Sequence, residues 1–520
     1  MYIEPNTTIK LYSGIPLDNT YEHTLYFASL SAQNAYFHGG IAKYTLANNS
    51  YQRVERGKMR IEKKADDLYD CNYLAFQNVN YGNKWFYAFI TGVEYINNIT
   101  SEITFEIDSM QTYLFDVELK NCFVVREHSL TDEIGDNIQA EPVEVGEYVI
   151  SDYNIVKYLT DMCVIIAIVI DNASNIGNRF DGIYSGVDLY VFNANDTGNI
   201  SAFLNSYLQR PEQIVSMYMC PRACITDVPS DIPAGGKKLD PTSNGVKYYV
   251  SLPSVTQATQ DFEGYVPKNK KMYTYPYNYV RVDNAKGESL NLRYEFFDAL
   301  TPIVEITCTV QMPVQMVLRP CSYKGLPSYT TLGGYTASKS ECISLDNYPM
   351  CSWNVDSYKS WVSQKALPLL ISSVSRGVTG VSRLSTSGTG SLVSGVASII
   401  TEQYEASIKA DVCRGNISDG NVNVSNGYQN FYNQRCHVTR DYAEVIDNFF
   451  TMFGYATNKV KTPNISSRPH WNYIQTKGCI IVGSAPSDEI RRICSIYDKG
   501  ITFWKYASEV GDYTLDNSPT

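Results

Sequence analysis

Between Ala366 and Ile400 the chain loses the pattern that lets the rest of it pack. Of these 35 residues nine are Ser and five are Gly, only Arg376 and Arg383 carry charge, and from Leu384 to Thr401 there is no charge at all. The apolar residues Leu367, Leu369, Leu370, Ile371, Val374, Val378, Val381, Leu384, Leu392, Val393, Val396, Ile399 and Ile400 are too diluted by Ser and Gly for an ordinary core strand. They are also too sparse for a lone membrane span, which needs about 20 mostly apolar residues. Two readings follow: a flexible linker or long surface loop, or a conditional segment, stowed in one state and exposed to membrane in another. Either way, the folded parts of the chain lie on both sides of this interruption.

A chain of 520 residues exceeds what one core supports, so two or three domains are expected. With 42 Tyr and 19 Phe against 5 Trp, the aromatic content favours strands over helices. The net charge of −11 argues against a surface that grips phosphates over the whole protein, while leaving room for an acidic wall that repels DNA. The 13 cysteines are scattered and never at CxxC spacing, and of the five histidines only His437 adjoins one, Cys436. This pattern speaks against zinc and for reduced thiols made in a cytosol. The opening Met1-Tyr-Ile-Glu-Pro has neither a basic nor an apolar leader region, so nothing marks it for secretion.

The N-terminal third carries dense strand signals. Tyr73 to Val79 is bounded by the turn Asn80-Tyr81-Gly82-Asn83, and Lys84 to Ile90 is apolar on both faces, as a central, doubly covered strand should be. The next strand alternates: Ile103, Phe105 and Ile107 face inward, Glu102, Thr104 and Glu106 outward. Asp108 can then cap a short helix reaching Leu114 or Phe115, and Cys122 to Arg126 reads as a further strand.

The strings YGNKWFYAFI (Tyr81–Ile90), FEIDSMQTYLFD (Phe105–Asp116) and FVVREH (Phe123–His128) resemble the tail knob, or distal tail tube, proteins of phi29-like short-tailed bacteriophages. The resemblance implies a mainly β fold with a few helices, whose β-barrel, tube-forming domains join in a homohexameric ring around a channel for DNA. It further implies assembly with other tail proteins of the proximal tube, a place at the distal end of the virion's tail, and synthesis in the host's bacterial cytoplasm. Without it, these residues say only that a β domain is present.

From Ser129 to Asp152 the chain carries Asp132, Glu133, Asp136, Glu141, Glu144, Glu147 and Asp152 with no Lys or Arg. This is either a solvated connector or, for Asp132, Glu133, Asp136, Glu141, Glu144 and Glu147, an electronegative channel rim that keeps DNA from sticking in transit. Beyond it, Met162 to Ile170 is an unbroken apolar run of strand length, Asp196 to Leu208 has helical spacing, and Pro211 to Met219 leads into another buried strand. Lys268-Asn-Lys-Lys271 reads as a solvated basic turn rather than a nucleic-acid contact. Tyr273 to Asp283, Leu290 to Phe297 and a pair within Val304 to Leu318 complete a second β region.

A helix start near Asn354 or Asp356 leads into the Ser/Gly-rich segment, as in the family's approach to its long loop. In the relatives such loops fill the tube and act on the host membrane after release. Small side chains pack densely in a narrow lumen, aliphatic ones gain about 25 cal/mol per Å² on entering a bilayer, and Gly leaves the backbone free to change conformation. After the segment, Val393, Val396, Ile400, Tyr404, Ile408 and Val412 recur at helical steps. FFTMFGYATNKVKTPNISSRPHWNYIQT (Phe449–Thr476) resembles the family's closing segment, Ser487-Asp-Glu489 opens a helix with Ile490, Ile493, Ile496 and Tyr497 inward, Gly500 offers a left-handed cap, and Ile501 to Trp504 returns as a strand. Arg468, His470 and Trp471 read as structural packing rather than a site.

The expected organisation is therefore a tube domain at 1–150, a middle β region at 151–345, the helix-and-loop region at 346–440, and a segment at 441–520 completing the tube domains. The function that follows is a structural virion protein: a tail tube that conducts DNA, with apolar loops that plug it and then help penetrate the membrane. No GxSxG, HExxH or P-loop spacing occurs, and no cofactor or metal is expected. The alternatives are an adhesin that uses the Tyr-rich middle region on a surface glycan and a wall hydrolase with two carboxylates.

Overall fold

The structure is a computed structural model describing residues 6–49, 57–156, 162–169 and 430–519 continuously, and residues 179–352 in shorter stretches. The chain divides into two compact units. The first comprises Met1–Glu147, Asp261–Thr274 and Thr439–Thr520, the second Tyr148–Gln260 and Tyr275–Val438.

In the first unit, strands β1 (Thr7–Ser13), β2 (His23–Leu25), β3 (Tyr44–Asn49), β4 (Lys58–Ile61), β5 (Cys71–Asn78), β6 (Trp85–Asn97), β7 (Thr100–Ile107), β8 (Val117–Leu119) and β9 (Cys122–Glu127) are followed, after the second unit, by β10 (Tyr455–Lys461), β11 (Trp471–Lys477), β12 (Ile481–Gly483) and β13 (Ile501–Trp504). Helices α1 (Leu30–His38), α2 (Ser109–Tyr113), α3 (Arg440–Phe453) and α4 (Ser487–Lys499) complete it. A six-stranded sheet has the order β3-β1-β5-β6-β7-β4 and a five-stranded one β2-β13-β11-β9-β10, so both ends of the chain contribute to the second, and β8 pairs with β12.

The run Lys84–Ile90 is central, as its two apolar faces require: β6 lies between β5 and β7. One face of that sheet gives Tyr12, Tyr73, Tyr87 and Phe89 to an aromatic core with Phe37, Trp471, Trp504, Ile493 and Phe503. The other packs Ile9, Leu11, Leu74, Ala88, Ile103 and Phe105 against Met59 and Ile61. Phe37 stacks on Tyr73 with ring centroids 5.6 Å apart, and Trp471 meets Trp504, its partner across β11 and β13, at 5.0 Å. Each such ring taken out of water stabilises the unit by about 2–3 kcal/mol. The alternation in β7 holds for Ile103 and Phe105, but Glu102 is buried rather than wet, because Lys58 and Arg60 on the neighbouring edge strand cover it at 3.5 and 3.1 Å. Asp108 caps α2 by accepting from the Gln111 amide.

In the second unit, Met162–Val169 pairs on both sides, with Val187–Asn193 and Ile214–Pro221. The helix Thr197–Ser206 rests Phe203 on Tyr190 and Phe192 at 4.9 and 5.0 Å. Ile303–Cys308 and Gln315–Cys321 form the expected antiparallel pair. A four-stranded sheet joins Tyr148–Ile155, Tyr432–Val438, Asn278–Asp283 and Ser289–Leu292. The helix near Asn354, the segment Ala366–Ile400 with all thirteen of its apolar residues, and the amphipathic stretch 393–412 lie outside the described residues. Among the described residues no helix is long and apolar enough to cross a membrane.

Candidate functional site

The most concentrated polar chemistry of the first unit is an internal network, built where three stretches distant in sequence meet. It begins with α3. Thr439 precedes the helix, Ala443, Ile446 and Phe450 lie on one face, and Gly454 ends it at φ 65, a conformation that side chains resist. A Cβ there would also overlap the Glu127 carbonyl. On that apolar face sits Asp447, fully buried. Its carboxylate accepts from the Tyr265 hydroxyl at 2.6 Å, the Lys268 amide at 2.8 Å and the Asn269 amide at 3.0 Å. Asn269 also donates to Thr451 Oγ1 at 2.8 Å. The segment Asp261–Thr274 is thus fastened to α3 by side chains that satisfy its backbone.

The acidic connector closes on the same segment. The Glu141 side chain is fully buried and binds both Arg126 and Lys271, while accepting from the Ala456 amide at 2.8 Å. Lys271 also donates to the Gln139 carbonyl at 2.8 Å, and burial lowers its ammonium pKa despite the attraction of Glu141. Asp132 accepts from the Tyr455 hydroxyl at 2.6 Å and the Lys270 amide at 3.2 Å, and burial raises its carboxyl. Lys270 reaches exposed Glu133 at 2.9 Å. Of the basic cluster expected as a solvated turn, Lys268 is exposed and Lys270 pairs at the surface with Glu133, whereas Lys271 is the internal counter-charge of Glu141, 130 residues away in sequence.

Beside it, His128 accepts from the Tyr473 amide at 2.8 Å and lies 3.1 Å from the Thr451 carbonyl, so its Nε2 carries the proton. Burial, reinforced by Arg468, pushes its pKa down to about 3. Arg468 is buried, donates to the Asn517 carbonyl at 3.3 Å, and lines a small polar recess with His128, Asp132, Lys268 and Asn269, large enough for about one water. His470 is held by Glu509 at 2.8 Å and Trp471 donates to the Thr451 carbonyl at 3.1 Å. These three residues are packing, as read from the sequence. The network compensates its own charges, and its recess has no space for a substrate, so what it does is fix the connector, the segment 261–274 and the C-terminal block together.

Of the six residues read as an acidic rim, the structure turns two inward, Asp132 and Glu141, and leaves Glu133, Asp136, Glu144 and Glu147 exposed. The sequence reading missed Asp447, Asn269, Tyr455 and Tyr265. Only Asp447 had a local signal: an acid on the apolar stripe of an amphipathic helix.

Among the described residues the two larger sheets of this unit have β3 and β4, and β2 and β10, as their edge strands. Two layered sheets with paired interiors, and an internal polar clamp that ties the connector and the segment 261–274 to α3 and the five-stranded sheet, define a mainly β protein. Residues 243–518, more than half the chain, match the family model described as the C-terminal domain of the Bacillus phage phi29 tail knob protein gp9, and residues 5–118 match the caudoviral major tail protein N-terminus. Tail knob proteins gp9 of Bacillus phages PZA, B103 and phi29 are 26%, 24% and 24% identical, each aligned over 98% of this chain and 98% of the relative. The bacteriophage C1 tail knob protein gp12 shares the fold, with a TM-score of 0.65 at 16% identity over 98% of this chain and 99% of that one. The chain belongs to the phi29 gp9 tail knob family, and is a structural protein of a phage tail.

Proposed function

We propose that six copies of the chain form the distal tube of a short tail, conduct DNA during ejection, and carry releasable loops. The observation that carries this is the coverage of the match: relatives named as tail knob proteins align with the chain over nearly its whole length, on both sides of Ala366–Ile400. The edge strands β3, β4, β2 and β10 are where neighbouring copies would continue the sheets, since edge ladders invite partner strands. Glu133, Asp136, Glu144 and Glu147 supply the electronegative rim that keeps phosphates moving. The segment Ala366–Ile400 plugs the lumen and enters the host membrane once released. The proximal tail is the other protein partner, DNA touches the lumen only transiently, and synthesis takes place in the bacterial cytoplasm.

Light scattering and negative-stain imaging of purified protein test the tube: six-fold rings or short tubes with a blocked centre are expected, and a stable monomer overturns it. Dye release from liposomes at neutral and mildly acidic pH tests the loop. Leakage that persists after deletion of 377–399 would exclude its membrane role.

A second reading has its own observation. In the second unit Tyr148 and Tyr275 flank Tyr279 at 5.8 and 5.6 Å, all solvent-facing in part, with Ile150 exposed beside them. Such a tyrosine face favours a glycan adhesin. Binding of purified protein to host cells, lost on Tyr148→Ala with Tyr275→Ala, would support it.

A further inference from the structure

Three cysteines that nothing in the tail role uses come together in the first unit. Cys122 opens β9, Cys479 follows β11, and Cys494 lies on α4. The thiol of Cys479 is within hydrogen-bonding reach of both Cys122 and Cys494. Cys122 is buried, whereas Cys479 and Cys494 are half-exposed.

The backbone around Cys479 is held from the helix that carries Cys494. Asp498 of α4 accepts from Thr476 Oγ1 at 2.7 Å and from the amides of Gly478 and Cys479, each at 3.1 Å. Cys494 is one turn before Asp498 and so shares its face of the helix. The carboxylate therefore fixes the Cys479 backbone against α4, the helix that carries Cys494. No set of three Cys, His, Asp or Glu side chains among the described residues is arranged to hold a metal, which leaves thiol chemistry.

We infer that Cys479 and Cys494 are a disulfide-forming pair that closes once the chain leaves a reducing cytoplasm, stapling α4 to the turn after β11. The setting rests on the virion reading, while the capacity to form the bond does not. With hydrogen peroxide as oxidant, one thiol is converted to a sulfenic acid as the O–O bond breaks and water leaves. The second sulfur then attacks the first, the S–S bond forms, and the hydroxyl departs as a second water: two thiols and one peroxide give one disulfide and two waters. Burial raises both thiols above their ordinary range, so the reactive thiolate is scarce at neutral pH and closure quickens as pH rises. That reluctance also keeps the pair reduced during synthesis.

Trypsin separates the three thiols onto three peptides: Asn121–Arg126, Gly478–Arg491 and Ile493–Lys499. Full-length protein purified under reductant is treated with peroxide, blocked with N-ethylmaleimide, digested and weighed. The expected result is a linked pair of Gly478–Arg491 with Ile493–Lys499, reversed by dithiothreitol, and at least tenfold less maleimide on both cysteines. In Cys494→Ser the link disappears and Cys479 labels fully. Full labelling of both cysteines after peroxide, over-oxidation without a link, or a bond from Cys479 to Cys122 would each overturn the assignment.

Discussion

Glu141 concentrates the energetics of the first unit in one side chain. It is sealed from water between Arg126 and Lys271, and removing one member of such a cluster strands the others without a counter-charge. Glu141→Gln is expected to destabilise the protein by about 3–5 kcal/mol, read as a shift of the denaturant midpoint. Adding Lys271→Met should return part of that loss, because the stranded ammonium is gone. If the two losses simply add, the pair is not coupled. Asp108 gives a pH signature. Burial raises its carboxyl from 3.8 to about 6, against hydrogen bonds from the Gln111 amide and the Tyr73 hydroxyl. An acid raised on folding favours the folded state while protonated, below its unfolded value, and that contribution is lost as pH rises through the folded value. Asp108→Asn stays uncharged, so its stability relative to wild type should grow by about 2 kcal/mol between pH 4 and 7. His128 acts with the opposite sign over that range, but in both proteins, and cancels from the difference. A flat difference would show that Asp108 is not raised.

Among the elements, α3 shows how a helix can be fixed by its ends and by one polar group. Gly454 has a positive φ and no room for a Cβ against Glu127. Gly454→Ala is expected to lower stability by about 2 kcal/mol or more, from backbone strain plus the collision, measured by thermal unfolding; a change within 0.5 kcal/mol would mean that the turn rearranges freely. The Gly500 stop differs from the sequence expectation. Its φ is positive, 103, but with ψ 136 it is extended rather than left-handed helical, because the chain must turn at once into β13 under Tyr473. Helix α3 is itself legible in the sequence: Thr439, Asp441, the spacing of Ala443, Ile446 and Phe450, and Gly454 are a start, a stripe and a stop.

For the whole molecule, the tube proposal concerns charge as well as strand edges. If exposed acids keep DNA moving, changing Asp136, Glu144 and Glu147 to Lys should make assembled protein retain duplex DNA, with affinity falling steeply as salt rises, while the parent retains none. Filter binding across a salt series checks this, and equal retention by both proteins would remove the rim from the mechanism.

What the sequence alone determined is what short-range physics writes into it. The both-faces-apolar run before Ile90, the alternation of Ile103 and Phe105, the Asp108 cap and the stripe Ile493, Ile496, Tyr497 each depend on a period or a cap within a dozen residues, and the aromatic strings carried the family. The tertiary structure alone decided what those strings close onto. Nothing near Glu141 in sequence announces Lys271, and nothing near Asp447 announces Asn269. A run of acids and a distant run of lysines each read as solvated, because a charge's burial depends on whether its counter-charge is brought to it. That is a property of the assembled chain: desolvating Glu141 is tolerable only where Arg126, Lys271 and the Ala456 amide converge on it from three separate segments.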